Sequence, residues 1–228
     1  MNEHEKKLDD FIDSYWNYFL ELESEFASTQ KYVAFDMCNR DTYSIEFLKL
    51  YQAVCSEIDV LGKEILLHFE PDFKVDGMVT IIHWGYGITK YMCDSLGATV
   101  VFAGKIELEP WEKFGYERYT KKNKNKKDSI CYRLEKNCAK PKWWKDYNHV
   151  KHARTSSDED GRVNYQRANF GNLVQAFAAL YVLEVFYAAV LERKAEPYGV
   201  STDSKLFSLR FDRAEPEAEN EADMAGVM

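Results

Sequence analysis

The chain has 228 residues, of which 46% are hydrophobic and 30% are charged. A chain of this length can bury a large core, and its composition excludes a wholly disordered or collagen-like protein. The five cysteines include no CxxC pair, which argues against a disulfide framework and against a cysteine zinc site. The first residues are charged and contain no apolar stretch of the kind found in a signal peptide. We therefore expect a cytoplasmic protein.

Charge is unevenly distributed along the chain. The net charge is −8, from 30 basic and 38 acidic residues. Between Arg118 and Arg154, however, 13 basic residues stand against three acidic ones, so this block carries +10 and the remainder −18. Such a block can attract a polyanion to one place on an otherwise acidic protein, although a lysine-rich stretch is also typical of a solvated loop. The lysines predicted to bind a polyanion are Lys121, Lys122, Lys124, Lys126, Lys127 and Lys145.

Helical periodicity dominates the first hundred residues. Apolar side chains recur every three or four residues from about Lys7 to Lys31, which predicts a helix with one apolar stripe. A second helix is predicted from Ser44, a favourable N-cap, to about Phe69, and Pro71 ends it. A third segment, from about 78 to 96, contains two glycines that lower its helix propensity. We expect this third helix to be kinked or short.

The pattern changes after residue 97. Two short apolar runs flank Ala103-Gly104 and predict a β-hairpin near residues 98–109. The segment 117–128 is polar and lysine-rich and is predicted to be a basic loop. A further helix is predicted to begin just after Pro141, followed by a polar loop over residues 155–162.

The stretch 172–191 is almost entirely apolar. Gln175 and Glu184 are its polar interruptions, and Asn169 or Asn172 could cap it. Its length is that of a membrane span, but its alanine and tyrosine content and its central glutamate favour a buried helix of a bundle. We predict a core helix and no membrane association. Because the helix is apolar around most of its circumference, we also expect a second subunit to cover part of it and predict a homodimer.

The fold class predicted from these segments is mainly α, a helical bundle with a short β-hairpin insertion. Residues 1–211 are predicted to form one domain. Residues 212–228 are acidic and lack aromatic side chains, which predicts a disordered tail.

One polar motif stands out between the basic loop and the core helix. Its sequence, WWKDYNHVKHAR, covers residues 143–154. On a helix, Asn148 and His152 share a face because they are four residues apart, and Lys145 and Lys151 lie beside them. Amide, imidazole and ammonium groups on one face are suited to binding phosphate or a carboxylate.

This motif, followed by YQRANFGNLVQAFAALYVLE, resembles a bacterial family with a WWxxYNxVKHxR segment ahead of an alanine- and leucine-rich helix. The upstream segments YSIEFLKLYQAVCSEIDVLGK and IELEPWEKF fit the same family, so the resemblance covers most of residues 43–210. The family is similar to HEPN domains, which are helical bundles that commonly dimerise and often act on RNA. The resemblance therefore implies a HEPN-like bundle in a bacterial or phage conflict system, with an antidote or another protein as a partner.

The HEPN resemblance also implies a catalytic site. Active HEPN ribonucleases use an arginine, a polar residue after it and a histidine a few residues on. In this chain Asn148 takes the polar position and His152 the histidine position, but Tyr147 stands where the arginine is expected. Cleavage without a metal needs a group that moves a proton and a cation that stabilises the phosphate. His152 could supply the first function, and Lys151 or Arg154 the second.

A structural role for the same motif is the alternative. His152 could donate to Glu57 or Asp59 on the second helix, with Lys151 and Tyr147 in the same polar network. The protein would then be a non-catalytic interaction or scaffolding module. The sequence contains neither a phosphate-binding loop nor a dinucleotide fingerprint. The histidine pair His149 and His152 has no third metal ligand close to it in the sequence. We therefore predict no cofactor and no metal.

Overall fold

The computed structural model describes residues 3–123, 128–194 and 204–210. The fold is mainly α, as predicted, with two small antiparallel sheets. The predicted tail at 212–228 and three of the predicted polyanion-binding lysines, Lys124, Lys126 and Lys127, lie outside the described residues. The helices are α1 (Glu3–Phe11), α2 (Asn17–Ser28), α3 (Ile45–Phe69), α4 (Ile81–Tyr91), α5 (Lys142–His152) and α6 (Phe170–Glu192), and the strands are β1 (Val100–Phe102), β2 (Ile106–Leu108), β3 (Tyr116–Lys121), β4 (Ser129–Leu134) and β5 (Phe207–Leu209).

The first two predicted helices are confirmed. The first contains a single π turn, Ile12–Trp16, which separates α1 from α2 without interrupting the helical course. The second begins as predicted, because the Ser44 hydroxyl accepts a hydrogen bond from the Phe47 amide at 3.0 Å. It ends at Phe69, two residues before the proline that cannot continue it.

Helix α4 is short, as its glycines predicted, and its packing explains why glycine is needed there. A Cβ atom on Gly85 would lie 2.7 Å from the Tyr116 ring, and one on Gly87 would lie 3.0 Å from Leu66 of α3. Both glycines allow close approach by a neighbouring element. The loss of helix propensity is therefore offset by tight packing of α4 between α3 and β3.

The hairpin predicted near residues 98–109 is confirmed. Strands β1 and β2 pair antiparallel across a turn in which Ala103 and Gly104 have positive φ values of 49° and 71°. A third strand, β5, pairs with the other edge of β1 and places Phe207 opposite Phe102. The sequence did not predict this third strand, because three residues are too few for a periodic signal.

The prediction of a basic loop at 117–128 is wrong for its first five residues. Residues 117–121 belong to β3, which pairs with β4 in register from Tyr116↔Leu134 to Lys121↔Ser129. Contacts between aromatic and arginine side chains hold this second hairpin in place on α4. The guanidinium of Arg118 lies 5.0 Å from the ring centre of Tyr86 and binds Glu70 at 3.2 Å. Part of the basic block is therefore neutralised within the fold.

Helix α6 runs through the centre of the protein. It contacts α1, α3, α5, β1 and β5, and its Phe177 ring stacks on Phe26 at 5.0 Å between ring centres. By length and composition α6 could cross a membrane, but 83% of its most apolar window is buried inside the protein. That burial is characteristic of a core helix. Since the chain itself covers α6, the apolar circumference does not by itself require a second subunit.

Candidate nucleic-acid interface

Helix α5 has a buried side and an exposed basic side. The buried side is apolar apart from Asp146, and its aromatic residues hold the helix in place. The Trp143 indole donates to the Pro110 carbonyl at 2.9 Å, and the Trp144 ring meets Trp84 edge to face at 5.4 Å. The exposed side carries the basic and imidazole groups Lys142, Lys145, His149, Lys151 and His152.

The carboxylate of Asp146 is 3% exposed and is the centre of a buried polar network. It accepts hydrogen bonds from Arg167 at 2.7 Å and from the Asn172 amide at 2.9 Å, and it also binds the Lys142 ammonium group. Burial alone would raise the pKa of Asp146, but the hydrogen bonds and positive charge of these donors outweigh it and lower the pKa. Asp146 is therefore a charged, fully partnered group at neutral pH.

Arg167 joins this carboxylate to the loop that precedes α6. Its guanidinium also binds Asp158 at 2.7 Å and the side-chain oxygen of Asn164 at 3.0 Å. Asn164 in turn donates to the backbone carbonyl of Ala153, directly after α5. The network therefore fixes the end of α5, the loop after it and the start of α6 relative to one another.

Tyr147, at the position where the HEPN resemblance expects arginine, belongs to the core. Its ring contacts Trp144 at 5.3 Å and Tyr51 at 6.1 Å between ring centres. Burial and the nearby Cys55 and Asp59 raise the pKa of Tyr147 to about 12. A buried, neutral phenol can supply no positive charge to a phosphate.

The remaining predicted catalytic residues lie on the exposed side of α5 or directly after it. His152 is the last residue of the helix, and its imidazole makes no hydrogen bond to any other described residue. The Asn148 amide donates to the Trp144 carbonyl at 2.8 Å, within its own helix. Lys151 extends over the Tyr147 ring, with 5.5 Å between the ammonium nitrogen and the ring centre. Arg154 is exposed beyond the end of the helix.

The two carboxylates predicted to support His152 have other neighbours. Asp59 accepts a hydrogen bond from the Trp84 indole at 2.9 Å and also binds Lys63. Glu57 lies close enough to Glu184 of α6 to raise the pKa of that carboxyl. In the part of the chain that the structure describes, neither carboxylate is hydrogen-bonded to His152. The predicted bonds from His152 to these carboxylates are therefore absent from the described part of the chain, although Tyr147 of the same helix packs on Tyr51 of α3.

The predicted polyanion-binding lysines fall into two groups. Lys145 lies on α5, whereas Lys121 and Lys122 are exposed at the end of β3, in a hairpin that packs on α4.

Sequence reasoning missed one residue of the site, Arg167. The missed signal was Asp146, which helical spacing places on the same side as Trp143 and Val150, so that its burial requires a cationic partner.

Among the described residues, no group of three or more histidine, cysteine or acidic side chains is arranged to hold a metal ion. No protein-family model matches this chain, and neither a curated protein nor a solved structure matches it.

Proposed function

We propose that the exposed side of α5 binds RNA through phosphate contacts, in a HEPN-like protein of the cytoplasm. The observation that carries this proposal is a group of exposed basic side chains, on α5 and directly after it, that no carboxylate neutralises. Over the described residues Lys145, Lys151 and Arg154 form no ion pair with any carboxylate. Lysine and arginine side chains that are free of internal partners can bind phosphates and release their counterions.

The rigid seating of α5 supports the same function. The tryptophans and the Asp146 network hold the helix, so the backbone positions that carry its exposed basic groups keep a fixed spacing. Binding to a rigid helix orders less backbone than binding to a flexible segment does, and it therefore loses less entropy. The imidazoles of His149 and His152 add hydrogen-bond donors on the same side of the helix.

Binding, rather than cleavage, is the activity that these contacts favour. Tyr147 is buried, the Asn148 amide is engaged within its own helix, and no described side chain orients the His152 imidazole. A general base is effective when a neighbouring group fixes its position and tautomer. The metal-independent ribonuclease implied by the resemblance would therefore need the RNA, or a second subunit of the proposed homodimer, to complete the site.

The test is fluorescence anisotropy with a labelled single-stranded RNA of mixed sequence, over a series of salt concentrations in EDTA. We expect the triple variant Lys145→Ala, Lys151→Ala, Arg154→Ala to bind more weakly. Its slope of log K against log salt should be shallower by about two, since each lost phosphate contact removes about 0.7 from the slope. His152→Ala, assayed for cleavage in parallel, distinguishes a ribonuclease from a binding protein.

The matched control is Lys31→Ala, which removes an exposed lysine from the end of the first helical segment. This variant should bind RNA with the wild-type affinity and salt slope. An unchanged slope in the triple variant, with the fold intact by circular dichroism, would refute the proposal. It would leave the scaffolding module, which the internal Asp146 network favours, as the function to pursue.

A further inference from the structure

Residues 211–228 contain six acidic residues and one arginine. They lie outside the described part of the structure, and their sequence has one regular charge pattern. Acidic residues occupy every second position from Glu215 to Asp223, five in all, and proline, alanine or asparagine separates them. Alternate side chains of an extended chain point to the same side, about 6.6 Å apart. The segment 215–223 can therefore present five carboxylates in one row.

The exposed basic side of α5 is a surface of opposite charge. Lys145, Lys151 and Arg154 form no ion pair with any described carboxylate. In the hairpin of β3 and β4, by contrast, both arginines are already paired with glutamates. Helix α5 has 11 residues and is therefore about 16 Å long. Three cations without an internal partner thus lie along this short helix or directly after it.

The described chain ends close to the first turn of α5. The Arg210 amide donates to the Thr99 carbonyl at 2.9 Å, and the register of β1 and β2 places Thr99 opposite Glu109. Two strand spacings and one further residue, about 10–13 Å in all, separate Arg210 from Pro110. The Pro110 carbonyl accepts the hydrogen bond of the Trp143 indole of α5. The chain after Arg210 therefore starts near the helix that carries the unpaired cations.

The length of the segment fits this path. The four residues 211–214 can span up to about 14 Å, which is the distance from Arg210 to the start of α5. The nine residues 215–223 can then span up to about 30 Å, nearly twice the length of the helix. The row of carboxylates is therefore long enough to reach all three cations, including Arg154 beyond the end of α5.

We propose that the acidic segment 215–223 docks on the basic side of α5 and competes there with RNA. Carboxylates and phosphates bind the same ammonium and guanidinium groups. Each exposed ion pair contributes little by itself, but the covalent link gives the segment an effective concentration in the millimolar range. A weak contact is therefore well populated within one molecule. The competition rests on the RNA binding proposed above, whereas the docking does not.

The RNA affinity of the full chain measures the competition. The tail variant replaces the five acidic residues by amides, Glu215→Gln, Glu217→Gln, Glu219→Gln, Glu221→Gln and Asp223→Asn. It should bind the labelled RNA about threefold more tightly, the gain expected if the segment occupies α5 for about two thirds of the time. The gain should disappear when the tail variant is combined with Lys145→Ala, Lys151→Ala, Arg154→Ala, because the surface for which the two anions compete is then lost.

The matched control removes the same number of negative charges from other exposed positions, Asp9→Asn, Asp10→Asn, Asp13→Asn, Glu21→Gln and Asp76→Asn. This charge control tests whether the gain reflects only the net charge of the protein. At about 0.15 M salt, exposed charges further apart than about 8 Å are largely screened from one another. The charge control should therefore bind RNA with nearly the wild-type affinity.

A labelled peptide of residues 211–228 measures the docking without RNA. In fluorescence anisotropy, at protein concentrations up to the millimolar range, the peptide should bind the tail variant more tightly than the wild type, whose own segment competes with it. Adding Lys145→Ala, Lys151→Ala, Arg154→Ala to the tail variant should abolish this binding. Adding Lys31→Ala and Lys74→Ala, two exposed lysines on other parts of the fold, should leave it unchanged.

The two assays separate failure of this inference from failure of the proposed function. Equal RNA affinities of the tail variant and the charge control, or a gain that persists without the three cations of α5, would overturn the competition. Peptide binding that survives the loss of these cations, or no peptide binding, would overturn the docking. RNA binding to none of the proteins would remove the proposed function and the competition with it, and the peptide then decides the docking alone.

Discussion

Replacing Arg167 by methionine removes one positive charge from the buried network while keeping most of the side-chain volume. The Arg167 side chain is 17% exposed, and the substitution removes its hydrogen bonds of 2.7 Å to Asp146, 2.7 Å to Asp158 and 3.0 Å to Asn164. The greatest effect falls on Asp146, which stays buried with one donor fewer. The prediction is a large loss of stability with little change in RNA affinity.

The magnitude follows from burial. Breaking a buried ion pair by removing one partner costs about 3–5 kcal/mol. Lys142 and Asn172 still bind Asp146 in the variant, which favours the lower end, about 3 kcal/mol. For a protein of this size each kcal/mol lowers the melting temperature by about 2–4 °C, so the expected loss is roughly 6–12 °C.

Urea unfolding followed by tryptophan fluorescence measures the loss in the free energy of unfolding, with Arg133→Met as the control. Arg133 pairs with Glu117 at 2.7 Å on an exposed strand, and its loss should cost less than about 1 kcal/mol. Equal effects of the two substitutions would refute the reasoning.

The pH dependence of stability provides a second check. Because the folded-state pKa of Asp146 is lowered, its contribution is present above the unfolded-state value of about 3.9 and is lost as the pH falls through the folded-state pKa. The stability of Arg167→Met should therefore decrease less steeply in acid than that of the wild type.

Two further predictions concern packing. Gly85→Ala should destabilise the fold by about 1–3 kcal/mol, because the new Cβ would lie 2.7 Å from the Tyr116 ring. The control Gly97→Ala should be nearly neutral, because its Cβ would meet no atom within 4 Å. Equal melting temperatures for the two variants would contradict this reasoning. Phe207→Ala should cost about 3–5 kcal/mol because the ring is buried against Phe102, and a loss below about 1 kcal/mol in urea unfolding would show that β5 contributes little to the core.

The helices could be predicted from the sequence because their signals are local. The Ser44 cap, the glycines of α4 and the apolar run of α6 each act within a few turns of the chain. The strands β3 and β4 were missed because their high content of charged and polar residues is typical of loops. What stabilises them is distant in sequence, as in the contact of Arg118 with Glu70 and Tyr86.

The candidate sites show the same division. The exposed basic side of α5 could be predicted from residue spacing. The partners of Asp146 could not, because Arg167 and Asn172 approach it through a loop whose course depends on the complete fold.

The last described strand has a consequence for synthesis of the protein on the ribosome. Strand β5 pairs with β1, which precedes it by about a hundred residues, and Glu23 of α2 accepts backbone hydrogen bonds at 3.1 Å from Lys205 and 2.9 Å from Leu206. Until the nascent chain includes residues 205–209, one edge of β1 and the Glu23 carboxylate lack their final partners. The emerging protein therefore exposes an unpaired strand edge until residues 207–209 have left the ribosome, and during that interval it is open to aggregation or to a chaperone.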